Sequence, residues 1–129
     1  MSEIARLADE YEKATRYFEK LAGDVADKDL DLRHPDGWSA RQVIHHLADS
    51  EAQSYARLRR LVAEPAGSII QGYDENLWAS QIDYQFNHEA SFMIILGLHQ
   101  RWSLLLLECL KDPSKYLAKS MYHPEQKRH

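Results

Sequence analysis

The sequence predicts an all-α protein, a helical bundle built on three long helices. Apolar residues recur at three- and four-residue spacing over residues 2–22, 40–63 and 87–111, which is the period of an amphipathic helix. Each segment opens with a serine or an asparagine that can cap a helix. No part of the sequence alternates apolar and polar residues as a half-buried strand does.

The first helix is predicted over residues 2–22. Ser2 can cap its start, and Gly23 ends it. An acidic, irregular stretch follows and is closed by Pro35 and Gly37. The apolar stripe of this helix consists of Ile4, Leu7, Tyr11, Phe18 and Leu21.

The second helix, residues 40–63, has the clearest start in the chain. Ser39 and Gln42 have the spacing of a capping box. Trp38 and Val43 flank that cap at the spacing of a hydrophobic staple. Because the entry is so well specified, the two histidines in its second turn lie at a fixed depth. A Glu-Pro dipeptide ends the helix.

A long connection separates the second helix from the third. It contains a predicted short helix over residues 75–79, capped by Asp74. Such a long connection is unusual in a compact domain and indicates a functional crossover. Its aromatic residues Tyr73, Trp78 and Tyr84 are expected to pack, the alternative being that they cover the mouth of a pocket.

The third helix is predicted from a cap at Asn87 to about residue 111, with one more short turn over residues 113–117. It is so apolar that it must be covered on most sides. Three long helices cover it poorly. The fourth helix of the bundle is therefore expected to be missing from the sequence or supplied by a partner subunit.

Composition limits the classes of function. The chain has 129 residues, enough for a single helical domain over residues 1–129. A net charge of -4 gives no basic field for nucleic acid, and Arg57, Arg59 and Arg60 are expected on a solvated helix face. The N-terminus does not resemble a signal peptide and no apolar run could span a membrane, so we expect a cytoplasmic protein. The lone Cys109 is expected to be buried and inert.

His46 is the candidate metal ligand. Adjacent helical residues point about 100° apart, so His45 and His46 are not expected to bind one metal together. Asp49 and Ser50 share the face of His46, and Asp49 is a candidate neighbouring ligand, supporting partner or catalytic residue. The alternative is that His46 is an ordinary core or surface histidine. His45 is expected to be structural.

Four ordered blocks of the sequence resemble the DinB superfamily, and within it the YfiT-like branch. That branch is described as metal-dependent hydrolases and bacillithiol S-transferases. The blocks are residues 35–50 (PDGWSARQVIHHLADS), 73–79 (YDENLWA), 98–102 (LHQRW) and 122–125 (YHPE).

The resemblance implies an up-down-down-up four-helix bundle, often dimeric, with three histidines binding zinc or nickel. By motif position one ligand is His46, and the other two belong to a His-x-x-x-His spacing that does not occur in this sequence. Such a divalent metal would support hydrolysis or transfer of a low-molecular-weight thiol. Asp49 would orient His46 or assist proton transfer, and a small-molecule substrate and a homodimer are expected.

A different class of function remains open. The domain is expected to be incomplete at its C-terminal end, so the chain is alternatively a truncated or degenerate, non-catalytic helical-bundle protein. It would then act through dimerisation or partner binding. This alternative predicts an exposed apolar groove.

Overall fold

The computed structural model describes residues 2–82, 84, 86–108 and 121. Every regular element within these residues is helical, which confirms the all-α prediction. The elements are α1 (Glu3–Gly23), a 3₁₀ turn (Asp27–Asp29), α2 (Ala40–Ala63), α3 (Glu75–Gln81), α4 (Glu89–Ile94), a π-helical stretch (Ile95–Ser103) and α5 (Leu104–Glu108). The last three are consecutive and form one long helix, called the last helix below.

Side-chain caps define the helix starts, as predicted. The hydroxyl oxygen of Ser2 accepts a hydrogen bond of 3.1 Å from the backbone N–H of Ala5. At α2 the capping box is complete, because Ser39 Oγ accepts from the Gln42 N–H at 3.1 Å and Gln42 Oε1 accepts from the Ser39 N–H at 2.9 Å. The two longest elements therefore begin where the local sequence places them.

The start of the last helix differs from the prediction. Asn87 Oδ1 accepts from the backbone N–H of Glu89 at 2.8 Å, two residues on, and His88 is the N-cap residue, without a side-chain capping bond. Asn87 thus makes an Asx turn before the helix, which competes with true capping. The π-helical stretch was not anticipated. The predicted turn over residues 113–117 and the buried Cys109 lie outside the described residues.

The three long helices run up, down and down. His45, near the start of α2, is hydrogen-bonded to Ser91, near the start of the last helix, and Leu58 and Leu107, near the two C-terminal ends, line one groove. These two helices are therefore parallel. Ile4, near the start of α1, lines the same groove, so α1 is antiparallel to both.

The parallel arrangement explains the long connection by geometry. A helix of 24 residues is about 36 Å long, so the chain leaving the end of α2 must travel back along it before the last helix starts. Residues 64–88 make this return, and α3 lies within it. A long crossover is thus required by the topology, since spanning this distance takes about eleven residues even in a fully extended chain.

The core lies where the end of α1, the start of α2 and the last helix meet. Its buried residues are Leu30, Ile44, Ala48 and Ile95, with Phe18, Leu47 and Phe92 packed against them. Other apolar residues of the last helix are not covered within the described structure, since Met93 is 73% and Leu105 is 49% exposed. This agrees with the expectation that three long helices cover the last one poorly. Among the described residues, no helix is long and apolar enough to cross a membrane.

Candidate functional site

His46 lies in the second turn of α2, at a depth set by the capping box at Ser39. Its imidazole ring meets the indole of Trp38 edge to face, with centroids 5.0 Å apart and an interplanar angle of 72°. Nδ1 of His46 is buried and has no hydrogen-bond partner among the described residues. A buried ring nitrogen with no protein partner is chemically suited to a metal ion, which prefers neutral imidazole.

Asp49 follows His46 by three residues and is tied to the crossover. Its Oδ2 accepts a hydrogen bond of 2.5 Å from the hydroxyl group of Tyr84. The Tyr84 ring, 1% exposed, also lies edge-on to Trp38 with centroids 6.4 Å apart. His46 and Asp49 are therefore neighbours on one face of α2, and they are also linked by side-chain contacts through Trp38 and Tyr84.

His45 is structural, since the described residues satisfy both of its ring nitrogens. Nε2 lies 2.9 Å from the carbonyl oxygen of Phe86 and Nδ1 lies 2.7 Å from Ser91 Oγ. A carbonyl oxygen only accepts, so Nε2 carries the proton and donates. In the neutral ring Nδ1 then accepts from the serine hydroxyl. The ring also stacks on Tyr84 with centroids 5.5 Å apart, so His45 joins α2, the crossover and the last helix.

Arg57 corrects one prediction from the sequence. Among the three basic residues assigned to a solvated face, Arg59 stacks over the Tyr55 ring at 4.1 Å, and Arg60 pairs with Glu64 at 3.0 Å. Arg57 instead turns toward the crossover and donates from Nη2 to the carbonyl oxygen of Gln71 at 2.8 Å. Its Nε is buried and lacks a hydrogen-bond partner within the described structure.

Tyr73 brings the crossover onto the same side of α2. Its ring packs against Trp78 with centroids 4.5 Å apart. Its hydroxyl group is buried and makes no hydrogen bond of good geometry to a described residue. Burial raises the pKa of this hydroxyl, as do the carboxylates of Glu75 and Asp49, while the positive charge of Arg57 and the nearby Ser50 hydroxyl oppose the rise.

A buried carboxylate occupies the middle of the bundle. Glu51 is 6% exposed, and its Oε2 accepts a hydrogen bond of 2.6 Å from the hydroxyl group of Tyr11 across the contact between α1 and α2. Burial and the neighbouring Glu51 carboxylate raise the pKa of the Tyr11 hydroxyl, which therefore remains a donor. This pair was not predicted from the sequence, because a glutamate in a long helix is usually solvated.

The described residues fit a metal ion in part. His46 could supply one ligand, because its Nδ1 has no described hydrogen-bond partner, and Asp49 lies beside it on the helix. No group of three or more His, Cys, Asp or Glu side chains suited to a metal occurs in the part of the chain that the structure describes. His88 also has a buried Nδ1 without a described partner, but it packs against Phe92 at the start of the last helix.

Sequence reasoning missed the roles of Tyr84, Tyr73 and Arg57. Tyr84 and Tyr73 were assigned to the crossover but not to particular partners on α2. Arg57 lies eleven residues after His46, which is close to three helical turns and places both on one side of α2. This spacing was the one signal available in the sequence.

The fold and site together define a helical-bundle protein with a candidate metal-binding histidine on its second long helix. A family model described as the DinB superfamily matches residues 10–128. The chain belongs to the DinB superfamily. This confirms the resemblance seen in the four sequence blocks.

Curated relatives place the chain beside the YfiT-like members of this family. It is 37% identical over 117 residues to a protein of Oceanobacillus iheyensis, covering 90% of this chain and 66% of the relative. It is 36% identical over 105 residues to YfiT of Bacillus subtilis, covering 80% of this chain and 57% of the relative. Both relatives are provisionally named metal-dependent hydrolases. The chain spans less than two thirds of the length of either one.

A solved structure gives the same result for the fold. The structure of YfiT from Bacillus subtilis matches 99% of this chain and 73% of its own, with a TM-score of 0.84 and 30% identity. It is described as having an unusual four-helix bundle topology and is provisionally assigned as a metal-dependent hydrolase. The helical-bundle prediction is thereby confirmed.

Proposed function

We propose that this protein is a divalent-metal-dependent enzyme that hydrolyses a small molecule or transfers a low-molecular-weight thiol to it. The observation that carries the proposal is the buried, unpartnered Nδ1 of His46, at the motif position of a family metal ligand. Membership of the DinB superfamily and the provisional names of the relatives support it. Zinc and nickel are the metals proposed, and a homodimer is the proposed assembly.

Two residues of this chain have distinct proposed roles. His46 supplies a neutral imidazole as one metal ligand, with its ring orientation held by Trp38. Asp49 accepts a proton from the attacking water or thiol at Oδ1, while Oδ2 stays bonded to Tyr84. When bound, a divalent metal lowers the pKa of water or a thiol so that it is nucleophilic near neutral pH.

Metal content tests the ligand assignment directly. The purified full chain is analysed by elemental mass spectrometry beside His46→Gln and His88→Gln. The second variant is the matched control, because His88 also has a buried Nδ1 without a described partner. We expect a stoichiometric divalent metal in the wild type and in His88→Gln, and its loss in His46→Gln. Metal retained in His46→Gln contradicts the assignment.

A non-catalytic helical-bundle protein is the second candidate. It is favoured by the lack of a three-ligand group among residues 2–82, 84, 86–108 and 121. Such a protein would act through dimerisation or partner binding. A wild-type chain that binds no metal after incubation with zinc or nickel would support this candidate over the enzyme.

A further inference from the structure

A groove of about 670 Å³ opens between the start of α1, the end of α2 and the end of the last helix. Its walls are mainly apolar, and its volume is in the range of pockets that hold small organic ligands. Large side chains from all three helices contribute, including Ile4, Leu7, Leu58, Leu61 and Leu107.

Arg57 is the cation among the described residues that line this groove. Its hydrogen bond to the Gln71 carbonyl oxygen anchors the guanidinium group beside the groove, and its Nε–H has no described partner. No carboxylate of the described residues lies within ion-pair distance of it, in contrast to Arg60 and Arg41 on the same helix. Ser54, one turn earlier, adds a hydroxyl group to the wall.

A third polar side chain among the described residues of the groove is already engaged. The Tyr11 hydroxyl also lies on the wall but donates to Glu51 at 2.6 Å. The described residues of the groove thus combine an apolar body with one localised positive charge. A guanidinium group in such a place is best satisfied by a planar anion that accepts from its N–H groups.

We propose that this groove binds a small amphipathic organic acid. The carboxylate lies at Arg57 and Ser54, and the apolar part of the ligand covers the isoleucine and leucine side chains contributed by the three helices. A purely apolar occupant would cover the buried Nε–H of Arg57 without giving it an acceptor, which is unfavourable. Charge complementarity therefore selects an acid over a neutral molecule of the same shape.

This inference does not depend on the metal proposal. Arg57 lies about 16 Å along the helix axis from His46. A carboxylate bound at Arg57 needs no ligand at the histidine, and binding is measured without catalysis. Loss of either proposal therefore leaves the other intact.

Calorimetric titration with decanoate and decanol tests the site, because the two probes differ only in the charged group. The full chain is compared with Arg57→Met and with the matched control Arg60→Met, whose side chain pairs with Glu64 away from the groove. We expect decanoate to bind the wild type and Arg60→Met equally. Its affinity should fall about tenfold or more in Arg57→Met, the value of a charged hydrogen bond, while decanol should lose no affinity.

Two further measurements keep the test decisive if Arg57→Met does not fold. Raising the salt concentration should weaken decanoate binding to the wild type and leave decanol binding unchanged. Arg57→Lys should retain part of the affinity. Equal affinity of the wild type for acid and alcohol, or no binding of decanoate, would overturn the proposal. A dimer seen by sedimentation would also overturn the proposal if decanoate neither binds to it nor dissociates it, because the groove would then be an interface between two copies.

Discussion

The hydroxyl group of Tyr84 donates a hydrogen bond of 2.5 Å to Oδ2 of Asp49, and this bond fixes the crossover to the face of α2 that carries His46. The same tyrosine ring stacks on His45 and lies edge-on to Trp38. One residue of a long connection therefore contacts three residues around the candidate metal ligand. The surroundings of His46 depend on a contact that spans 35 residues of sequence.

Removing only the hydroxyl group of Tyr84 should destabilise the fold. Tyr84→Phe keeps the stacked ring but leaves a half-buried carboxylate without its donor, which costs about 1.5–3 kcal/mol. Urea unfolding measures this loss, with Tyr17→Phe as control because Tyr17 is 66% exposed. Similar losses in both variants would show that the hydrogen bond contributes no stability of its own.

The two adjacent histidines should respond differently to substitution. His45→Ala removes two buried hydrogen bonds and a stacked ring, and we expect a loss of roughly 2–4 kcal/mol in the free energy of unfolding. His34→Ala is the control, since His34 is exposed. In metal-free protein His46→Ala should cost less than His45→Ala, because Nδ1 of His46 makes no described hydrogen bond. The reverse order would contradict the structural role of His45.

Stability should decline in alkaline solution. The pKa values of the Tyr11 and Tyr73 hydroxyls are raised in the folded protein, so the folded state keeps protons that the unfolded chain releases above about pH 10. The contribution is complete below that pH and is lost as the pH rises further. Unfolding free energies from pH 8 to about pH 11 should fall, and less steeply in Tyr11→Phe than in Tyr17→Phe. Identical slopes in the two variants would argue against a retained Tyr11 proton.

Backbone conformation should decide the effect of alanine at two glycines. Gly67 has a φ of 86°, which is unfavourable for a residue with a side chain, so Gly67→Ala should cost about 1–2 kcal/mol. Gly23, the last residue of α1, has no described atom within 4 Å of an added Cβ, and Gly23→Ala should be neutral or gain up to about 1 kcal/mol. Thermal melts of both variants check the contrast, and a stabilised Gly67→Ala would refute it.

The parts of the fold that local chemistry determines were predictable. Ser2 and Ser39 cap their helices as expected, and α2 has the predicted bounds Ala40–Ala63. The start of the last helix was displaced because Asn87 can bond to the backbone in a turn as well as in a cap. The π-helical stretch depends on packing along the whole helix, and no local signal predicts it.

The candidate site was only partly predictable for a related reason. His46 and Asp49 were selected because three-residue spacing along one helix is visible in sequence. Their tertiary partner Tyr84 comes from a crossover with no regular period. The direction in which Arg57 points depends on where Gln71 lies after the chain has returned along α2. Contacts of this kind follow from topology, which a single helix does not encode.

The parallel pairing of α2 with the last helix also has a consequence for folding kinetics. Its contacts, such as the one between His45 and Ser91, join residues 46 positions apart. Closing loops of this length lowers the conformational entropy of the chain before the contacts form and offset that loss. A bundle with this topology has a higher contact order than an up-and-down bundle of equal length. Its folding rate should be correspondingly lower, even if each isolated helix forms readily.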